Sequence, residues 1–412
     1  KRLRASPMIF KLISDFRSYY TFSIFLIILT LTLSFPLSFI CAKFAKFIAY
    51  TLIFIVAGST AYFTYQSIKY KAYPILFDTL FFGITYLILL FYIKKRLNII
   101  SPLLTCSFKF MYKAKTMFLA PLFLIILSSL VFLFTLLGIL FTNGVVKYDI
   151  NTNIFTDTIK TEQHSSLFMT KFLFIFLGIW MLNFLFVLVR ISISYIITTV
   201  YFNHPIPTFW ESLKKILRYH TGTVFFGSFV CFCLEAISTF FVYIQKWLEK
   251  TKNSFVKFIL KCLLNVCFIL VRFVEEVNSI SFVYTALEGV TFWDGCKKAS
   301  NLFKIDSILS IDILMRNILF GARLIVASCS AIATYFYIRD LSLLRNHVAI
   351  VAVFVIVYFV LKTIDAVISP AAQTILVCLL EDAKDEGAYA PNEMKNIMVW
   401  LRERVGFNSN RA

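Results

Sequence analysis

Charge is scarce in this chain, and the signatures of catalysis are missing. Of 412 residues only 15% are Asp, Glu, Lys or Arg, against about 25% in a soluble domain, so water is not its main solvent. No Walker, GxGxxG, HExxH or nucleophile-elbow pattern occurs. A hydrolase or NTPase is unsupported, and the expectation is a non-enzyme without a cofactor. The nine cysteines (Cys41, Cys106, Cys231, Cys233, Cys262, Cys267, Cys296, Cys329 and Cys378) make no CxxC pair. Most lie inside apolar runs, where they act as small hydrophobes, so neither a disulfide framework nor a metal site is readable. No internal repeat is visible, and no cleavable signal peptide can be argued from the apolar run at Tyr20, which is followed at once by others.

What the chain has in abundance is apolar surface. It is 59% hydrophobic, with 48 Phe and a mean hydropathy of +0.81. About 20 apolar residues cross a bilayer core, and runs of that kind lie at 18–41, 46–66, 74–93, 117–141, 167–202, 220–246, 308–338 and 346–380. The region 255–292 begins amphipathic, with Lys257, Lys261, Arg272, Glu275 and Glu276, and turns apolar from Ile280 to Leu287. It counts as one crossing, making nine, or as an interfacial helix plus a re-entrant piece. The fold class is all-α, a polytopic membrane bundle of about nine to ten helices with interfacial amphipathic helices. Two runs, 167–202 and 346–380, are too long for a straight crossing at 1.5 Å per residue. They must tilt, extend past the membrane or break, with Pro370 a candidate break and Arg190 a candidate end to the buried part of the first.

The formal net charge is +19. Its lysines and arginines sit in short loops between apolar runs, which points to an anionic cytoplasmic leaflet and not to nucleic acid. Lys94-Lys95-Arg96 with Lys109, Lys113 and Lys115 are expected inside, and 97–115 reads as an amphipathic helix at the inner surface. The polar loop from Thr142 to Ser166 is expected outside. Lys214, Lys215, Arg218, Lys297, Lys298 and Lys304 fall inside again. Lys246, Lys250, Lys252 and Lys257 fit this parity poorly. Residues 1–380 read as one membrane domain and 381–412 as a cytoplasmic tail.

Several stretches carry a family pattern. Gly178 to Phe184 contains Trp-x-x-Asn-Phe, and Tyr201-Phe202 follows it. His220-Thr221-Gly222 runs through to Gly227-Ser228, with Thr223 and Phe225 at positions where Ser and Ala are usual. Asn278 through Gly289 is followed by Phe292 to Phe303, and Cys378-Leu379-Leu380-Glu381-Asp382 comes late. In order and spacing these resemble the choline-transporter-like membrane proteins, best from Lys94 to Glu381. The chain departs from the pattern at Ile280, where a second Asn is common, at Gln373, where an acidic residue is frequent, and at Trp293, where Cys is familiar. It opens on Lys, at what resembles the family's second helix, which implies a missing first helix. The resemblance implies a plasma-membrane carrier of choline or a related amine such as ethanolamine, with proton exchange. It leaves oligomeric state open.

Choline is a quaternary ammonium with one hydroxyl, so its site needs aromatic faces for the cation, a carboxylate, and one polar group for the hydroxyl. Trp180, Asn183 and Phe184 share a helical face at i, i+3 and i+4. They supply a ring and an amide, or they pack and hydrogen-bond between helices. Glu235 lies mid-run, where an ionisable group is costly. It faces a cation or carries a proton, or it pairs with Arg190, Arg323 or Lys362. Tyr284 and Glu288, one turn apart, are a second place for a cation, or an interface anchor and a wet helix end. Asp312, Arg316 and Arg323 stripe one face as ion-pair partners. His220 and the nearby Gly222 and Gly227 read as a helix start and close-approach or flexible points.

Overall fold

A computed structural model describes residues 99–144, 148–149, 160–161, 165–248, 254–303, 306–337 and 343–384, with parts of 54–70 and 389–399. The apolar runs at 18–41 and 74–93 and most of 46–66 lie outside the described residues. The chain forms two compact units, one of Ala114–Lys304 and one of Lys1–Lys113 with Ile305–Ala412.

The Ala114–Lys304 unit opens with a 3-10 turn, Lys115–Leu119, leading into α1 (Ala120–Gly144). It continues through α2 (Ser165–Tyr201), α3 (Phe209–Tyr219), α4 (Thr221–Leu248), α5 (Ser254–Glu288) and α6 (Phe292–Phe303). Between α1 and α2, β1 (Tyr148–Asp149) and β2 (Lys160–Thr161) pair antiparallel. Long apolar sequence becomes helix here because a helix alone satisfies its own backbone in lipid. Small residues let α1 and α2 approach. A Cβ on Gly138 would lie 2.4 Å from the Phe174 ring, and one on Gly178 2.3 Å from Thr135 Oγ1. The partners run in opposite order, so the two helices are antiparallel.

The long run at 167–202 is one unbroken helix that continues through Arg190. Its first half shows Met169, Phe172 and Leu173 outward, whereas Val189, Ile191, Ile193, Ile196 and Ile197 are fully buried. Arg190 therefore lies within the protein-packed half. Past Tyr201 the chain turns at Asn203, φ 54°, a left-handed conformation that Asn tolerates. Thr208 then caps α3 in a reciprocal box with Glu211. One face of α3, Phe209, Ser212, Leu213 and Ile216, is buried. Ser212 Oγ donates to the Ser192 carbonyl at 2.9 Å, and Lys215 Nζ to Tyr195 Oη at 2.6 Å. The His220 N–H closes α3 on the Ile216 carbonyl at 2.8 Å.

α5 is a single unbroken helix of 35 residues, which replaces the alternative of an interfacial helix plus a re-entrant piece. It runs antiparallel to α4: Gly227 faces Phe282, where a Cβ would sit 2.4 Å from the ring, and Cys231 faces Asn278. Gly222 has nothing within 4 Å of its Cβ position, so of these two glycines Gly227 alone marks a close approach.

In the other unit, residues 99–113 are helical. Ile100, Leu103, Leu104, Ser107 and Met111 are buried while Lys109, Tyr112 and Lys113 face out, the amphipathic pattern expected of an interfacial helix. α7 (Asp306–Tyr337) and α8 (Leu343–Lys384) follow. α8 does not break at Pro370. Val367, Ile368, Ala371 and Ala372 around it are fully buried, and packing holds a proline inside a membrane helix. The helix also passes the expected boundary at 380, and Asp382 is buried. Among the described residues five helices are long and apolar enough to cross a membrane: Lys115–Thr142, Met169–Tyr201, Thr221–Trp247, Met315–Phe336 and Val353–Lys384. The chain is an all-α membrane bundle.

Candidate functional site

The polar chemistry of the Ala114–Lys304 unit gathers on one face of α4. Ser228, Cys231 and Glu235 stand at i, i+3 and i+7, and each receives a hydrogen bond from a neighbouring helix. Trp180 Nε1 donates to Ser228 Oγ at 3.2 Å, Asn278 Nδ2 to Cys231 Sγ at 2.9 Å, and Asn183 Nδ2 to Glu235 Oε2 at 2.9 Å. α2 and α5 are thus cross-linked to α4 by three side-chain bonds.

Around Trp180 the structure places aromatic edges. Phe225 and Phe229 meet its indole edge-to-face at 4.7 and 5.6 Å, and Phe176 does so at 6.3 Å. Phe184 follows on the same face and is half-buried. Within this unit Glu235 takes the Asn183 amide and, among the described residues, not Arg190. Arg190 instead donates Nη1 to Ser279 Oγ at 2.7 Å, tying α2 to α5. Asn278 is 2% exposed, and its Oδ1 has no hydrogen-bond partner among the described residues. A buried amide oxygen in that state is an acceptor waiting for a donor.

Tyr284 and Glu288 belong to a different neighbourhood. Both are engaged by Lys298 of α6, which forms an ion pair with Glu288 and lies 5.9 Å from the Tyr284 ring centre. Asn183 and Glu235 are brought together, and Trp180, one turn from Asn183, meets α4 at Ser228 instead; Tyr284 and Glu288 form their own neighbourhood.

A family model described as plasma-membrane choline transporter matches residues 77–384. The chain belongs to that family. Curated choline transporter-like relatives align over part of the chain. Choline transporter-like protein 2 of Danio rerio is 26% identical over 268 residues, covering 60% of this chain and 38% of the relative. The Bos taurus protein of that name is 26% identical over 251 residues, covering 54% and 34%. The Salmo salar protein is 27% identical over 259 residues, covering 58% and 37%. The chain therefore spans well under half the length of the curated relatives it matches. It is a multi-pass membrane protein of a plasma-membrane family.

Three features of this family member escaped the sequence reading. Cys231 and Asn278 were visible only as a small hydrophobe and as a motif residue. Helical spacing does show Cys231 one turn from Glu235, but the Asn278 pairing needs the antiparallel register of α4 and α5. The third is Asp365, which pairs with Arg323 at 2.6 Å; both side chains are about 15% exposed. Phe320 and Tyr358 flank the guanidinium, with ring centres at 5.5 and 5.3 Å. Asp365 lies mid-run, and the rule that flagged Glu235 would have flagged it. The side chain of Asp312 lies outside the described residues. Arg323 is an ion-pair residue as expected, with a partner on the next helix.

Proposed function

We propose that this protein is a secondary carrier of choline or a related organic cation such as ethanolamine, exchanging it against protons across the plasma membrane. The observation that carries the reading is the Asn183–Glu235 pair beside Trp180: a carboxylate, an amide and an indole on facing helices inside the membrane. This is the chemical set a choline-sized cation requires. Glu235 would balance the ammonium charge and Trp180 would offer its ring. Asn183, or the vacant acceptor of Asn278, would read the hydroxyl. A carboxylate that trades an organic cation for a proton couples the two fluxes without ATP. Phe184 completes the aromatic side of the same face.

The test is uptake of radiolabelled choline into liposomes containing the purified full chain, with and without an imposed proton gradient. Accumulation above empty vesicles, changed by the gradient, is expected. Folded protein that accumulates none refutes the carrier reading and favours a scaffold that retains the fold. Ile280 and Gln373, both 1% exposed, are where such a divergence would show: an apolar and a neutral side chain fill positions where the family resemblance implies Asn and an acid.

A further inference from the structure

The hairpin of α5 and α6 places one of the chain's own ammonium groups where an organic cation would bind. Lys298 Nζ meets the Glu288 carboxylate and stands 5.9 Å from the centre of the Tyr284 ring. That ring is only 2% exposed, so its quadrupole is little screened by water and attracts a cation more strongly than a surface ring does. Glu288 is also the last residue of α5, where the C-terminal carbonyls add negative potential. A carboxylate, a shielded ring and a helix C-terminus thus converge on one ammonium.

The backbone fixes this placement. The chain leaves α5 through Gly289, at φ 70°, its N–H bonded to the Thr285 carbonyl at 3.0 Å. α6 is then capped by Thr291, which takes the Asp294 N–H and donates to the Asp294 carboxylate. Gly295 sits so close to α5 that a Cβ there would lie 2.8 Å from the Ser281 carbonyl oxygen. Lys298 is one turn beyond Gly295, so the clamp aims it back at α5. Its neighbour Lys297 points away, is 80% exposed and pairs with Asp294 at 3.7 Å. Adjacent helical residues point about 100° apart, so Lys298 faces α5 and Lys297 does not.

We propose that Glu288 and Tyr284 form a peripheral site for small organic ammonium ions, and that Lys298 is its tethered competitor. This rests on the organic-cation reading above and adds a second, outlying site to it. Lys298 and Glu288 are 44% and 32% exposed, so the lysine can leave for water at little cost. A side chain on a short tether competes at an effective concentration on the order of mM. Ligand therefore displaces it only when abundant, and the site stays closed to dilute cations.

Binding can be tested apart from transport. Tetramethylammonium chloride is titrated into the purified full chain in detergent, against matched sodium chloride, by calorimetry or thermal shift. Lys298→Ala should bind roughly tenfold more tightly than the parent, the size of one lost competing contact. Lys298→Gln should do the same and serves if the alanine variant does not fold. Lys297→Ala removes the same charge one residue away and should change nothing. Adding Glu288→Gln to Lys298→Ala should abolish the gain. Unchanged affinity in both Lys298 variants, an equal gain in Lys297→Ala, or a gain that survives Glu288→Gln would each overturn the proposal. Absence of choline uptake together with a tighter Lys298→Ala would remove the carrier reading and leave this site standing. Normal uptake with unchanged binding would do the reverse.

Discussion

Replacing Glu235 by Gln is the sharpest probe of the candidate site. The amide is nearly isosteric, and its oxygen can still accept the Asn183 Nδ2 hydrogen at 2.9 Å, so the α2–α4 link survives and only the charge goes. A carboxylate about 5 Å from an ammonium, at an effective dielectric near 20, contributes about 3 kcal/mol. Glu235 is open to its surroundings, which roughly halves that figure. The remaining ~1.5 kcal/mol corresponds to about a tenfold loss of apparent affinity. The assay is the concentration dependence of choline uptake in proteoliposomes, with the thermal midpoint of the variant as the folding control. KM should rise about tenfold, and the response to a proton gradient should disappear because the variant holds no exchangeable proton. Uptake with unchanged KM and unchanged gradient dependence would refute the reasoning and return Glu235 to the role of an interhelical hydrogen-bond acceptor.

Three stability predictions follow from other contacts. Arg323→Ala leaves the Asp365 carboxylate unpaired inside the α7–α8 hairpin and should cost about 3–5 kcal/mol, whereas Arg323→Met with Asp365→Leu should recover most of it; thermal unfolding in detergent reads both. Gly227→Ala drives a methyl into the Phe282 ring and should lower stability by about 1–3 kcal/mol, while Gly222→Ala, with open space around it, should stay near the parent. Burial first, and the Lys215 charge second, hold the His220 imidazole below its ordinary 6.5. The unfolded chain therefore binds that proton more readily than the folded one. The stability due to neutral His220 is fully present above pH 6.5 and is lost as the pH falls from there through the folded value. His220→Gln should flatten that part of the profile of melting temperature against pH.

Helix identity and membrane embedding were legible because they depend on properties each residue carries locally. The runs at 117–141, 167–202, 220–246, 308–338 and 346–380 each appear as a helix at nearly those bounds, and the amphipathic face at 97–115 was readable from its spacing. Helix continuity was not. Pro370 looks disruptive in one dimension, yet the packing around it, which sequence does not display, absorbs the cost. The same limit applied at the candidate site. Trp180, Asn183 and Glu235 could be singled out because rings, amides and acids stand out in an apolar run. The Asn183–Glu235 bond and the Asn278–Cys231 bond depend on how α2 and α5 lie against α4, which is set by small residues such as Gly227 facing Phe282. Lys298 was read as a cytoplasmic loop charge, since nothing local tells its direction from that of Lys297.

The three bonds that α4 receives on one face constrain how it can move. Advancing a helix by one residue turns its side chains by about 100°, which would carry Ser228, Cys231 and Glu235 away from their donors together. Small axial excursions are therefore resisted by all three bonds at once, and a larger turn releases them as a set. Mutations that free one of these bonds should therefore loosen the other two.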